Sequence, residues 1–130
     1  MGDSFQCAVA LANIEVIEHE NLLEKSSKMG ALLKKGLEEL QTKFEILGDV
    51  RGQGLFLGIE IIESRASKRP DPERALKLVT ECEDRGLLLG GGIPTGGLGT
   101  NTVRLCPPLV ITEEQVGTAL DIIEDVLSKI

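Results

Sequence analysis

One arginine stands out for its setting. Arg104 lies in the run Val103-Arg104-Leu105-Cys106-Pro107-Pro108-Leu109-Val110-Ile111, otherwise free of charge. A guanidinium among apolar residues is costly to bury without an anionic partner. Its planar fork of donors matches a carboxylate through two parallel hydrogen bonds. Two roles follow for Arg104. It could clamp the carboxylate of a small molecule, or it could pair with one of the chain's 21 acidic residues or face solvent from a strand. Physical chemistry alone leaves both open and favours the second, because charged groups often belong to structural networks.

Other motifs carry less chemistry. Gly52-Gln53-Gly54, with Gly58 beyond it, begins a glycine pattern like those of dinucleotide sites. Such sites need the glycines to open a helix, so that pyrophosphate meets the helix N-terminus. Here a strand-like run follows, which points to a bend between two strands. The stretch Gly90 to Asn101 holds six of the fifteen glycines and reads as a mobile loop. It could cradle phosphate through backbone N–H groups, but it lacks the Gly-Lys-Ser/Thr ending of a phosphate loop. His19 is the only histidine and has no catalytic neighbourhood, so a polar corner between helices is its expected place. Cys7, Cys82 and Cys106 are widely spaced and show no metal-ligand pattern, so no metal site is expected. Cys106 is expected to be a small buried residue, and an odd, dispersed cysteine set suits a reducing compartment.

The elements that must position these residues follow from periodicity. Residues 5 to 20 form a helix capped by Asp3 and Ser4. Its apolar set, Ala8, Leu11, Ala12, Ile14 and Val16, is broad enough to need cover on more than one side. A second helix runs from Leu22 to Lys43, with Met29, Leu32, Leu33, Leu37, Leu40 and Phe44 on one face. Ile46 to Gly54 and Leu55 to Ile62 form two strands. Pro72 opens a helix through Arg85 after Asp71 as cap, with Ala75, Leu76, Val79 and Cys82 inward. Leu87 to Leu89 and Thr102 to Cys106 supply two short strands. Thr112-Glu113-Glu114-Gln115 is a capping box for a last helix with Val116, Ala119, Leu120, Ile123, Val126, Leu127 and Ile130 on one face. The order α, α, β, β, α, β, β, α predicts an α+β fold: a small, mostly antiparallel sheet with helices on one face, preceded by a long N-terminal helix.

The whole composition fits 130 residues of one compact unit. Net charge is −7, and aromatics make up 2%, with neither Trp nor Tyr. Nucleic-acid binding needs clustered cations, so that class is set aside, as are anionic membranes. No apolar run reaches the roughly 18 to 20 residues that span a bilayer, and no signal peptide is visible.

Three segments carry a family resemblance. Asp49-Val50-Arg51-Gly52-Gln53-Gly54-Leu55-Phe56-Leu57-Gly58-Ile59-Glu60 resembles the DVRGxGLxxGxE segment of class III pyridoxal-phosphate aminotransferases. Val103 to Leu109 resembles their hRhxPPL strand, and Gly2 to Ala8 resembles the end of their GGNPxxCA segment. The order and spacing match across nearly the whole chain. The family includes 4-aminobutyrate, ornithine, acetylornithine and alanine–glyoxylate aminotransferases and dialkylglycine decarboxylase.

The resemblance implies a C-terminal small domain of fold type I, in a homodimer that moves an amino group between an amino acid and a keto acid. It implies that Arg104 binds the substrate carboxylate, that Arg51 belongs to a structural turn, and that Gly2 lies near the cofactor phosphate across the dimer. It also implies that residues 1–21 end a large-domain segment and connecting helix, and that residues 22–130 are the small domain. Asp3 and Ser4 stand where the family has Asn and Pro. The Schiff-base lysine, the aspartate at the cofactor nitrogen and the ring-stacking aromatic lie upstream of the matching segments. Pyridoxal 5′-phosphate is therefore expected in a longer parent and not on this chain alone. Met1 is accordingly expected to be an artificial or misassigned start, in a cytoplasmic protein or, with a targeting segment upstream, an organellar one. Two other readings stay open: a stand-alone, non-catalytic module that binds a small carboxylate or a partner protein, and one piece of a split enzyme.

Overall fold

The computed structural model describes residues 3–91 and 101–130. Eight elements follow one another: α1 (Ser4–His19), α2 (Leu22–Lys43), β1 (Leu47–Gln53), β2 (Phe56–Ile61), α3 (Pro72–Asp84), β3 (Gly90–Gly91), β4 (Thr102–Leu105) and α4 (Glu113–Leu127). The strands form one antiparallel sheet in the order β1-β2-β4-β3. Alternation builds its buried face. Leu57, Ile59 and Ile61 of β2 and Val103 and Leu105 of β4 all point to the core, because side chains alternate along a strand. On β1 a bulge between Leu47 and Asp49 shifts the register, so that Leu47 and Val50, three residues apart, both face inward.

Helices α2 and α3 lie against this face, and α4 packs across both. Leu33 and Leu37 of α2, Leu78 of α3 and Val116 and Ile123 of α4 are shut off from solvent. Each such side chain contributes roughly 1.5–3 kcal/mol on burial. The helix starts are fixed as expected. Thr112 and Gln115 form the reciprocal capping box. The Asp71 carboxylate accepts from the Arg74 N–H with Pro72 in the first turn.

Several sequence expectations need correction. The third strand lies at Gly90–Gly91, and Leu87 to Leu89 has no strand pairing. Gly90 spends its backbone on Arg104, whereas Leu87 to Leu89 follow the turn at Gly86 and lie off the sheet. On α3 the inward residue is Leu78, while Leu76 faces solvent, because the core meets the Ala75–Leu78–Cys82 stripe. Cys82 is the buried thiol, pushed up to about 11 by its burial; Cys106, expected inside, is exposed just beyond the end of β4. No residue of α1 is buried, and Phe5, Val9, Leu11, Ile14 and Val16 stay exposed. The cover expected for this helix is not supplied by the described residues. The expected mobile loop falls mostly on residues 92–100, outside those described. Among the described residues, no helix is long and apolar enough to cross a membrane.

The β1–β2 hairpin turns at Gly54, whose φ of +55° puts glycine at the first loop position, the pattern of type II′ turns. Its carbonyl lies against α2: a Cβ on Gly30 would stand 2.1 Å from the Gly54 oxygen. Gly30→Ala therefore sets two effects against each other. Helix propensity alone favours alanine by about 1 kcal/mol, but overpacking costs about 1–3 kcal/mol. The clash is with backbone, which cannot rotate away, so a net loss is expected in urea unfolding. A gain in stability would show that α2 does not seat on the hairpin in this way.

Candidate functional site

The face of the sheet turned away from the helices carries the polar residues. Register places them in rows. Asp49, Glu60 and Thr102 form one row across β1, β2 and β4, and Arg51, Gly58, Arg104 and Gly90 form the next across all four strands. Arg104 is thus exposed on an open sheet face, between the buried neighbours Val103 and Leu105. Alternation explains how a charged residue can sit in an apolar run without being buried.

The two arginines of that row have different surroundings. Arg51 donates to the Asp49 carboxylate at 2.7 Å and lies 3.6 Å from Glu60. The hydrogen bond to Asp49, aided by the nearby Glu60 charge, holds its guanidinium more firmly protonated than usual. Both groups are half-exposed, so the pair is worth at most about 1 kcal/mol. Arg51 stands on strand β1 and not in the turn the resemblance implied: it pairs with Gly58, and the strand continues to Gln53, with the turn at Gly54 three residues beyond Arg51. Arg104, by contrast, makes no ion pair and no side-chain hydrogen bond among the described residues. The nearest acidic groups on this face, Asp49 and Glu60, are engaged by Arg51 and Asn101.

Asn101 escaped the sequence analysis. It is 2% exposed, the one buried polar side chain among the described residues. Its side-chain amide donates to the Ile61 carbonyl at 2.8 Å and to Glu60 Oε1 at 3.2 Å, and its main-chain carbonyl accepts from the Ile61 N–H at 2.8 Å. Three bonds tie the start of β4 to the end of β2, three residues before Arg104. Only strand pairing makes this residue special, and nothing local in the sequence marks it.

The remaining expectations fall elsewhere. His19 is exposed at the end of α1, at the corner before α2. Gly52 and Gly54 shape the hairpin and open no helix. Gly2 lies outside the described residues. An apolar groove of about 400 Å³ runs between α4, Leu33, Leu87–Leu89 and Pro107–Pro108. It lies on the helix side, and none of the described residues that line it is charged.

Comparison with known proteins bears on this face. The family model described as Aminotransferase class-III matches residues 1–127. The taurine–pyruvate aminotransferase of Bilophila wadsworthia is 48% identical over 110 residues, covering 84% of this chain and 24% of that protein. The alanine/serine racemase of Pyrococcus horikoshii is 43% identical over 117 residues, covering 90% of this chain and 23% of that protein. A Bacillus anthracis aminotransferase of known structure superposes with a TM-score of 0.89 at 37% identity, over 95% of this chain and 28% of that one. The chain spans about a quarter of the length of these relatives.

The Asn101 anchor has a stability signature. Asn101→Ala removes two side-chain hydrogen bonds, one of them to the Glu60 carboxylate, while the Ile61 carbonyl keeps the Asp71 N–H at 3.1 Å, an expected loss of about 1–3 kcal/mol. Asn101→Asp should cost more at neutral pH, because it sets a second carboxylate beside Glu60. Part of that extra loss should return as the pH falls and the new carboxyl takes a proton. Urea unfolding at two pH values checks this; equal losses for the two variants at both would contradict the anchor.

Proposed function

This chain belongs to the class III aminotransferase family, and we propose that it is the C-terminal, carboxylate-holding part of a pyridoxal-phosphate enzyme that moves an amino group between an amino acid and a keto acid. The observation that carries this is Arg104. It stands exposed on an open sheet face with no anionic partner among the described residues, and its donors are free to meet a carboxylate bidentately. The family's activity supplies a substrate with that group. A racemase and an aminotransferase both resemble this segment, which suits a role in holding substrate and not in choosing the reaction.

In this reading the cofactor is held chiefly by the rest of a longer protein. Amino-group transfer needs a lysine amine as covalent anchor and pyridoxal phosphate as electron sink. All eight lysines of the chain lie on helices, at the helix ends or in the Ser64–Pro70 loop, and none stands on the open face with Arg104. Lysine, cofactor and proton transfer would come from the rest of a longer protein. What this chain offers is orientation: a fixed carboxylate limits the rotation of the substrate about its α-carbon, and positioning of that kind can supply several kcal/mol of a barrier.

The boundary near Asn21 fits the same proposal. Asn21 has a φ of +50° and breaks α1 from α2. Residues 1–21 would lead out of a larger body, whose surface would cover the exposed Phe5, Val9 and Leu11. Residues 22–130, with their own core, would be the small domain. The longer protein would work as a homodimer, and the free thiols of this segment suit the cytoplasm.

Replacing Arg104 by Lys in the full-length protein tests the clamp. Lysine keeps the charge but loses the fork. The kcat/KM for an amino-acid donor should fall roughly 10- to 100-fold, with KM raised. An unchanged kcat/KM would remove Arg104 from the substrate.

A further inference from the structure

We propose that Gly58 and Gly90 are positioning residues for Arg104: together they keep a lane free of side chains across the open sheet face, in which the arginine arm lies and moves to meet a carboxylate. The proposal rests on the clamp role of Arg104 and goes beyond it, to the residues that make the clamp usable.

The register puts Gly58 of β2 and Gly90 of β3 directly opposite Arg104, one on each side. Side chains directly opposite on neighbouring strands stand about 4.5–5.5 Å apart at Cβ, and ordinarily they crowd a long arm upright. Here both neighbours lack a side chain. The arm takes the space on one side: a Cβ on Gly90 would lie 3.5 Å from Arg104 Cβ and 3.6 Å from its Nε. Across Gly58 the lane leads towards Arg51.

Backbone geometry does not account for either glycine. Gly52, Gly54, Gly86 and Gly91 have positive φ, whereas Gly58 and Gly90 do not. Nor does close packing of the backbone. A Cβ on Gly58 would meet Thr102 Cγ2 at 3.6 Å and the Val103 oxygen at 3.9 Å, ordinary contacts, and a Cβ on Gly90 would meet chiefly Arg104 itself. Glycine inside a strand weakens the strand, and β-branched residues suit it better. Two strand glycines, which no described neighbour requires, flank the one arginine on this face without an ionic partner among the described residues. What they provide is room for its guanidinium.

The inference separates affinity from stability, and a purely structural glycine would not. In the full-length protein, Gly90→Val should weaken binding of propionate, measured by calorimetric titration, by roughly tenfold. Its melting temperature should hold or rise, because valine favours strands. Gly90→Ala, whose methyl only touches the arm, should weaken binding by about threefold and is decisive should the valine variant not fold. Arg104→Lys is measured alongside. Weaker binding in Arg104→Lys with both Gly90 variants within about twofold of the parent protein would overturn the lane and leave the clamp standing. Unchanged binding in Arg104→Lys would overturn the clamp, and the lane with it.

Discussion

Burial of only one face of the sheet governs everything else in this chain. Leu57, Ile59 and Ile61 on β2 and Val103 and Leu105 on β4 lie against α2 and α3, and that contact holds four short strands together. The period of two then obliges Gly58, Glu60, Thr102 and Arg104 to the other side. A helix on that second face would have buried Arg104 and forced it to pair with a carboxylate. With no described helix on that face, the guanidinium remains available, and its place is set to within the tolerance of a hydrogen-bonded ladder.

The ladder is short, so its anchoring matters. β4 has four residues and β3 two. A strand of that length contributes little by itself, and register is held by the neighbours. Asn101 fixes one end of β4 to Ile61 and Glu60. Pro107 and Pro108 stop the strand at the other end, since proline offers no N–H to a ladder. Arg51, with Asp49 and Glu60, occupies the acidic groups of this face. Asn101, Glu60 and Arg51 thus form a connected polar network beside Arg104, which leaves Arg104 without an acidic partner among the described residues.

Much of the scaffold was legible in the sequence. The α2 stripe from Met29 to Leu40 and the Thr112–Gln115 capping box are local signals, fixed by the 3.6-residue period and by the free N–H groups of a first turn. Arg104 was visible as a charge in an apolar run, but composition could not say which way it faced; alternation within a paired strand decided that. Signals that depend on pairing were lost. Gly90–Gly91 has no strand propensity and becomes a strand only because β4 offers it an edge, while the β-prone run Leu87–Leu89 lies off the sheet. Asn101 and the glycines beside Arg104 acquire their meaning from residues some 15 to 45 positions away. The apolar α1 was legible as a helix needing cover, and the described residues of a chain about a quarter of its relatives' length do not bury it.

The account turns on what Arg104 touches when substrate is present. A crystal structure of the full-length protein with a bound amino acid measures that directly. Both terminal guanidinium nitrogens of Arg104 should lie within about 3.2 Å of the carboxylate oxygens, with the arm lying in the lane between Gly58 and Gly90. A carboxylate held by other residues, with Arg104 paired to a protein acid, would contradict the account.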